Sequence, residues 1–142
     1  VNESSIVNQI NQYKVAVQMF EQMNGAYPGF YDNGMFSKQK FWKDLTKSKL
    51  IDVDLDGDNA KIKTGGVIKV EYDDKFYFLI ENKDGSGCLT PKQAFYIDKK
   101  LDDGIPNSGD IVVTDSNITC SKDDAYSVEN DTKCCRLKIQ VD

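Results

Sequence analysis

Hydrophobic positions divide this chain into a first part with helical spacing and a later part in which the period drops to two. Ile6, Ile10, Tyr13, Val17 and Phe20 follow at alternating steps of four and three, drawing one narrow stripe on one helix face. Asn24-Gly25 supplies a left-handed stop and Pro28-Gly29 prevents resumption, which predicts a single first helix of about five turns ending at residue 24. Such a stripe must lie on another part of the fold. A second, shorter helix is predicted from Ser37 as N-cap to about Ser48, with Phe41, Trp42 and Leu45 on its buried side. Residues 52–66, rich in Asp and Gly, read as a loop.

Beyond residue 66 the pattern becomes strand-like. Val67, Ile68, Val70 and Tyr72 form one run and residues 75–80 the next, with Asp73-Asp74 as a two-residue hairpin turn. The second run is apolar on both faces, so both are expected to be covered, by neighbouring strands and by the first helix. After a polar turn over 82–87, Thr90-Pro91-Lys92-Gln93 is a capping box with proline at the first helical position. Ala94, Ile97 and Leu101, flanked by Phe95, give that helix its stripe, and Gly104 and Pro106 end it. Residues 110–114 alternate as a strand, and Cys135, Leu137, Ile139 and Val141 alternate with polar residues to the end. Cys135 thereby points inward and Cys134 outward. The order reads as one α+β domain over 1–142: a helix at 1–24 packed on an antiparallel sheet that, with short helices, forms a head over 25–142.

Composition narrows the function. The net charge is −5 and the acids are scattered among lysines, which excludes the basic footprint of a nucleic-acid binder. No run approaches the ~20 apolar residues that span a bilayer. Histidine is absent, which removes the usual general base and every imidazole-based triad. The carboxylates sit in turn-like segments where solvation is expected to keep their pKa values ordinary, so no enzyme activity is expected.

Four cysteines without a Cys-x-x-Cys spacing suit disulfides better than zinc. Joining the neighbours Cys134 and Cys135 would close a strained eight-membered ring, which leaves two connectivities, both tying Cys120 to the C-terminal strand. Of these we expect Cys120 with Cys134 and Cys88 with Cys135.

Two acidic groups are candidates for cation binding. Asp52, Asp54, Asp56 and Asp58, with Gly57, match the first half of a calcium loop; the second half departs, with Lys63 where a bidentate Glu should close the site. A solvated acidic loop, or a strand with one wet face, is the alternative reading of the same residues. Asp98 and Asp102, four apart on the third helix, and Asp103 just after it form the second group; Lys99 and Lys100 are near enough to neutralise them. Tyr27, Phe30, Tyr31 and Phe36 are expected to cover the junction between helix and sheet.

The helix ending at residues 24–29 resembles that of type IV pilins and of the related pseudopilins of type II secretion, in which a Gly, an aromatic residue and Pro-Gly close a long first helix. Residues 89–109, with helix, Asp-Asp-Gly turn and following strand in order, are similar to a stretch of many prepilin-like proteins, and with the C-terminal cysteine strand the likeness covers nearly the whole chain. The resemblance implies an exported, non-catalytic filament subunit of a pilus or a secretion pseudopilus. It would be anchored in the inner membrane before assembly and then self-associate through residues 30–36, 50–66 and the segment between Cys120 and the C-terminal strand. Some secretion pseudopilins need calcium, which would give the acids at 52–58 a role. The family's apolar N-terminal segment is not among these residues, which open on Val1; the first helix is expected to be the lower half of a longer one. The alternative is an exported stand-alone adhesin or calcium-dependent ligand-binding domain.

Overall fold

A computed structural model describes residues 3–63, 65–114 and 119–142. Helix α1 (Glu3–Asn24) is followed by α2 (Lys38–Lys47), and then by strands β1 (Leu55–Asp56), β2 (Asn59–Lys61), β3 (Val67–Asp73) and β4 (Lys75–Glu81). Helix α3 (Pro91–Leu101), β5 (Ile111–Val113), a small hairpin β6 (Ser121–Lys122) and β7 (Ala125–Tyr126), and β8 (Leu137–Gln140) complete the order. The main sheet runs β1-β2-β3-β4-β8-β5, and every pairing is antiparallel.

The expected helices form where their signals stand. Ser37 caps α2 by accepting from the Lys40 amide, and Thr90 with Gln93 closes the capping box of α3. Gly25, at φ 72°, ends α1 by donating to the Glu21 carbonyl. Ile6, Ile10, Tyr13 and Val17 are buried as the stripe requires and Ala16 joins them, but Phe20 is only partly buried and packs at the edge of the core.

Three expectations need correction. Residues 52–66 are not a plain loop, because β1 and β2 form a hairpin at the sheet edge, with Gln9 of α1 donating to the Lys61 carbonyl at 2.8 Å. Strands this short carry too few alternations to be seen as a period. The β3–β4 register runs on to Asp73 opposite Lys75, so a single residue, Asp74 at φ 63°, lies between the strands rather than two. Strand β4 is also not covered equally on both faces. Phe76, Phe78 and Ile80 are buried, whereas Tyr77 and Leu79 are half-buried on the far face, with Lys138 Nζ 4.2 Å from the Tyr77 ring centre.

The core between helices and sheet is largely aromatic. The Phe76 ring lies 5.0–6.0 Å, centre to centre, from Tyr27, Phe30, Phe36, Phe41 and Tyr72. Tyr13 meets Trp42 at 5.4 Å and Phe78 at 6.3 Å, which ties α1 to both α2 and the sheet. Trp42 Nε1 donates to the Asp58 carbonyl at 2.8 Å, so its polar atom is satisfied inside the core. Tyr27, Phe30 and Phe36 thus cover the junction as expected, while Tyr31 is exposed.

Truncating the centre of this cluster should be costly and truncating its rim should not. Phe76→Ala is expected to lower unfolding free energy by about 3–5 kcal/mol, and Tyr31→Ala by no more than about 0.5 kcal/mol, in chemical denaturation.

Candidate functional site

Of the acids at 52–58, Asp52 and Asp54 lie between α2 and β1, Asp56 is in β1 and Asp58 is in the β1–β2 turn. A calcium loop winds around its ion, but here the chain reverses at Gly57-Asp58 to pair β1 with β2. Asp56 meets Lys83 at 2.9 Å and Asp54 lies 4.0 Å from Lys61, while Asp52 and Asp54 line an open groove with Lys61 and Lys63. Among the described residues the side chains that converge within 4.8 Å as potential ligands are two other groups: Asp98, Asp102 and Asp103, and Cys120, Cys134 and Cys135.

Asp98 departs most from its sequence reading. The last turn of α3 carries it inward, to full burial, rather than onto a face shared with Lys99 and Lys100. Tyr126 of β7 donates to Oδ2 at 2.6 Å and the Gly104 amide to Oδ1 at 3.0 Å. Asp102 accepts from the Ile111 amide, and Asp103 accepts from the Ile105 amide and the Ser108 hydroxyl. These three carboxylates pin the turn after α3, β5 and the β6–β7 hairpin to one another. Burial pushes the Asp98 carboxyl up to about 6, against the two hydrogen bonds and with the help of the Asp103 and Asp102 charges. Hydrogen bonds from Ser108 and Ile105 hold the exposed Asp103 below the usual carboxylate range.

A second buried acid, Glu81, closes β4. Burial alone would raise it, but Lys69 at 2.7 Å and Arg136 at 2.9 Å outweigh that and hold it below its ordinary value. Neither buried carboxylate was legible from the turn-like context of the acids, and neither keeps the ordinary pKa expected of it.

The cysteines pair differently from the expectation. Cys120 is bonded to Cys135, and Cys88 and Cys134 are free thiols. Strand alternation turns Cys135 inward to full burial, where it meets the fully buried Cys120, while Cys134 stays half-buried. An antiparallel bridge sets Leu89 opposite Cys135, so Cys88 faces the other way, against Gly66. The tie from Cys120 to the start of the C-terminal strand, common to both connectivities left open by sequence, is present.

The face of α1 turned away from the sheet carries its own apolar line. Val15, Met19 and Met23, each four residues apart, are 51%, 43% and 64% exposed. Beside them runs a groove of about 570 Å³ lined by Gln12, Val15, Ala16, Met19, Leu50 and Ile51. The spacing of Val15, Met19 and Met23 is a helical signal in its own right, masked in the sequence by the stronger inner stripe.

No protein-family model matches the chain, and no curated protein sequence matches it. Among solved structures it is similar to the major type IV pilin PilA1 from Clostridium difficile, with a TM-score of 0.59 over 98% of this chain and 92% of that one, at 15% identity. The fold is that of a type IV pilin. In this pilin-like fold α1 is the long N-terminal helix, and the exposed Val15–Met23 line lies on the side of it that the sheet leaves open.

The raised carboxyl of Asp98 gives the pilin-like head a defined pH response. Its folded pKa lies above its unfolded value of 3.8, so the native state holds the proton more tightly and this contribution is complete below about pH 4. It is lost as pH rises to 6 and beyond. Asp98→Asn should remove the slope it contributes to a plot of melting temperature against pH between 4 and 6, while the opposite slope from Glu81 at lower pH persists.

Proposed function

We propose that the chain is a subunit of a type IV pilus or a related secretion pseudopilus, working outside the cytoplasm by assembly rather than by turnover. The carrying observation is the exposed Val15–Met19–Met23 line on the long helix of a pilin-like fold. Among the described residues the core does not include those side chains, and a contiguous apolar line on an otherwise acidic protein is where a second copy gains most from burial. In this reading α1 continues upstream of Val1 into an apolar segment that holds the subunit in the inner membrane before assembly. The helices then pack at the filament axis, and the heads meet around them. The buried acids fit the same reading, since Asp98 and Glu81 spend their oxygens on structural partners.

The test is Met19→Lys with Met23→Lys in the full-length protein expressed by its own host. Both residues are exposed, so the melting temperature of the isolated domain should stay within about 2 °C of the parent, as for other surface substitutions. Filaments should vanish from sheared surface fractions and electron micrographs. Filaments at parental abundance would overturn the assembly role of this face.

A further inference from the structure

We infer that Cys134 is a built-in nucleophile for the Cys120 cross-link, so that Cys120 exchanges between Cys135 and Cys134 as alternative partners. The sulfurs of Cys120, Cys134 and Cys135 all lie within 4.8 Å of one another, and only one pair can be bonded at a time. Cys134 holds the free thiol of the three and is half-buried, within reach of solvent.

Its surroundings hold it in place. The amides of Cys134 and Cys135 both donate to the Leu89 carbonyl, at 3.0 and 2.8 Å. Gly87 lies so close that a Cβ there would collide with the Cys134 carbonyl group, so the backbone at Cys134 depends on that glycine. Asn130 joins the two ends of the exchange. Its Nδ2 donates to the Thr119 carbonyl, beside Cys120, at 2.8 Å and lies 3.9 Å from Cys134 Sγ. Asn130 thereby holds the Cys134 sulfur in register with the backbone next to Cys120. Cys88 stands outside this group, buried against Gly66 with its thiol pushed up to about 11 by burial.

The step balances without an oxidant. The Cys134 thiolate attacks Cys120 Sγ; the Cys120–Cys134 bond forms as the Cys120–Cys135 bond breaks, and Cys135 leaves as a thiolate that takes up a proton. Attack on Cys135 instead would join neighbouring residues in a strained ring, so Cys120 is the productive target. The exchange moves the free thiol from the half-buried position at 134 to the fully buried one at 135. The segment 121–133, which carries the β6–β7 hairpin, stays tied throughout, while its surface thiol is offered in one isomer and hidden in the other.

The experiment holds the protein at pH 8, quenches with acid, alkylates free thiols and maps the peptides without reduction. Cys135 should be labelled to within about tenfold of Cys134, with a Cys120–Cys134 peptide recovered beside Cys120–Cys135. In Cys135→Ser, incubated with oxidised glutathione as the two-electron oxidant, Cys120 should be found bonded to Cys134; in Cys134→Ser a single isomer with Cys135 should remain. Asn130→Ala should slow the approach to the isomer mixture without changing the peptides found. Labelling of Cys134 alone in the parent protein after hours at pH 8 would overturn the inference, whether or not the serine variants fold. Recovery of Cys120 as a free thiol in a folded Cys135→Ser would overturn it independently.

Discussion

The Phe76 ring sits where three segments must agree. It comes from β4, beside β8 near the middle of the sheet, and it touches rings from the turn after α1, from the 30–36 loop and from α2. The first two of these have little regular structure to hold them: an isolated bridge between Phe30 and Phe36 is the extent of strand pairing in the loop. Offset and edge-on ring contacts supply what backbone pairing does not, because each aromatic side chain buries a large area and restricts the angle of its neighbour. The inner face of α1 reaches the same layer through Tyr13, so the helix, the connecting loop and the sheet share one packing unit rather than three.

The C-terminal half is organised by a different means. From residue 102 onward the strands are two to four residues long, too short to hold themselves by ladder bonds. Three aspartates, Asp98 in the last turn of α3 and Asp102 and Asp103 just after it, accept hydrogen bonds from the turn, from β5 and from Tyr126, and the Cys120–Cys135 bond closes the segment that lies between. Polar pins of this kind carry a cost, since Asp98 must give up water, and its raised carboxyl is the measure of it. The compensation is specificity: a buried carboxylate with two donors fixes the geometry of a segment that apolar contact alone would leave loosely defined.

Where a segment's structure follows from its own residues, the sequence was enough. The caps at Ser37 and Thr90, the stop at Gly25, the inner stripe of α1 and the alternation of β8 are local, and each stands where its signal is. What escaped depends on partners distant along the chain. Glu81 is buried because Lys69 from β3 and Arg136 just before β8 flank it, and Asp98 because Tyr126 reaches it from twenty-eight residues away. The β1–β2 hairpin and the tight reversal at Asp74 were hidden for another reason, as their lengths fall below the resolution of a period count. The cysteine pairing lay between these cases: alternation correctly sent Cys135 inward, but only the depth of Cys120 decides which sulfur it meets.

Helix α1 carries two apolar lines on one set of turns, and they answer to different demands. The inner line, Ile6, Ile10, Tyr13, Ala16 and Val17, is satisfied within the subunit. The outer line of Val15, Met19 and Met23 has no such partner in the described fold and is flanked by a groove rather than a lid. Two of its three members are methionines, whose unbranched side chains adapt to differing surfaces. A helix needs only its inner line to hold this domain together. The outer line is surplus to that packing, and the fold presents it at a fixed angle on the side of the helix that the sheet leaves open.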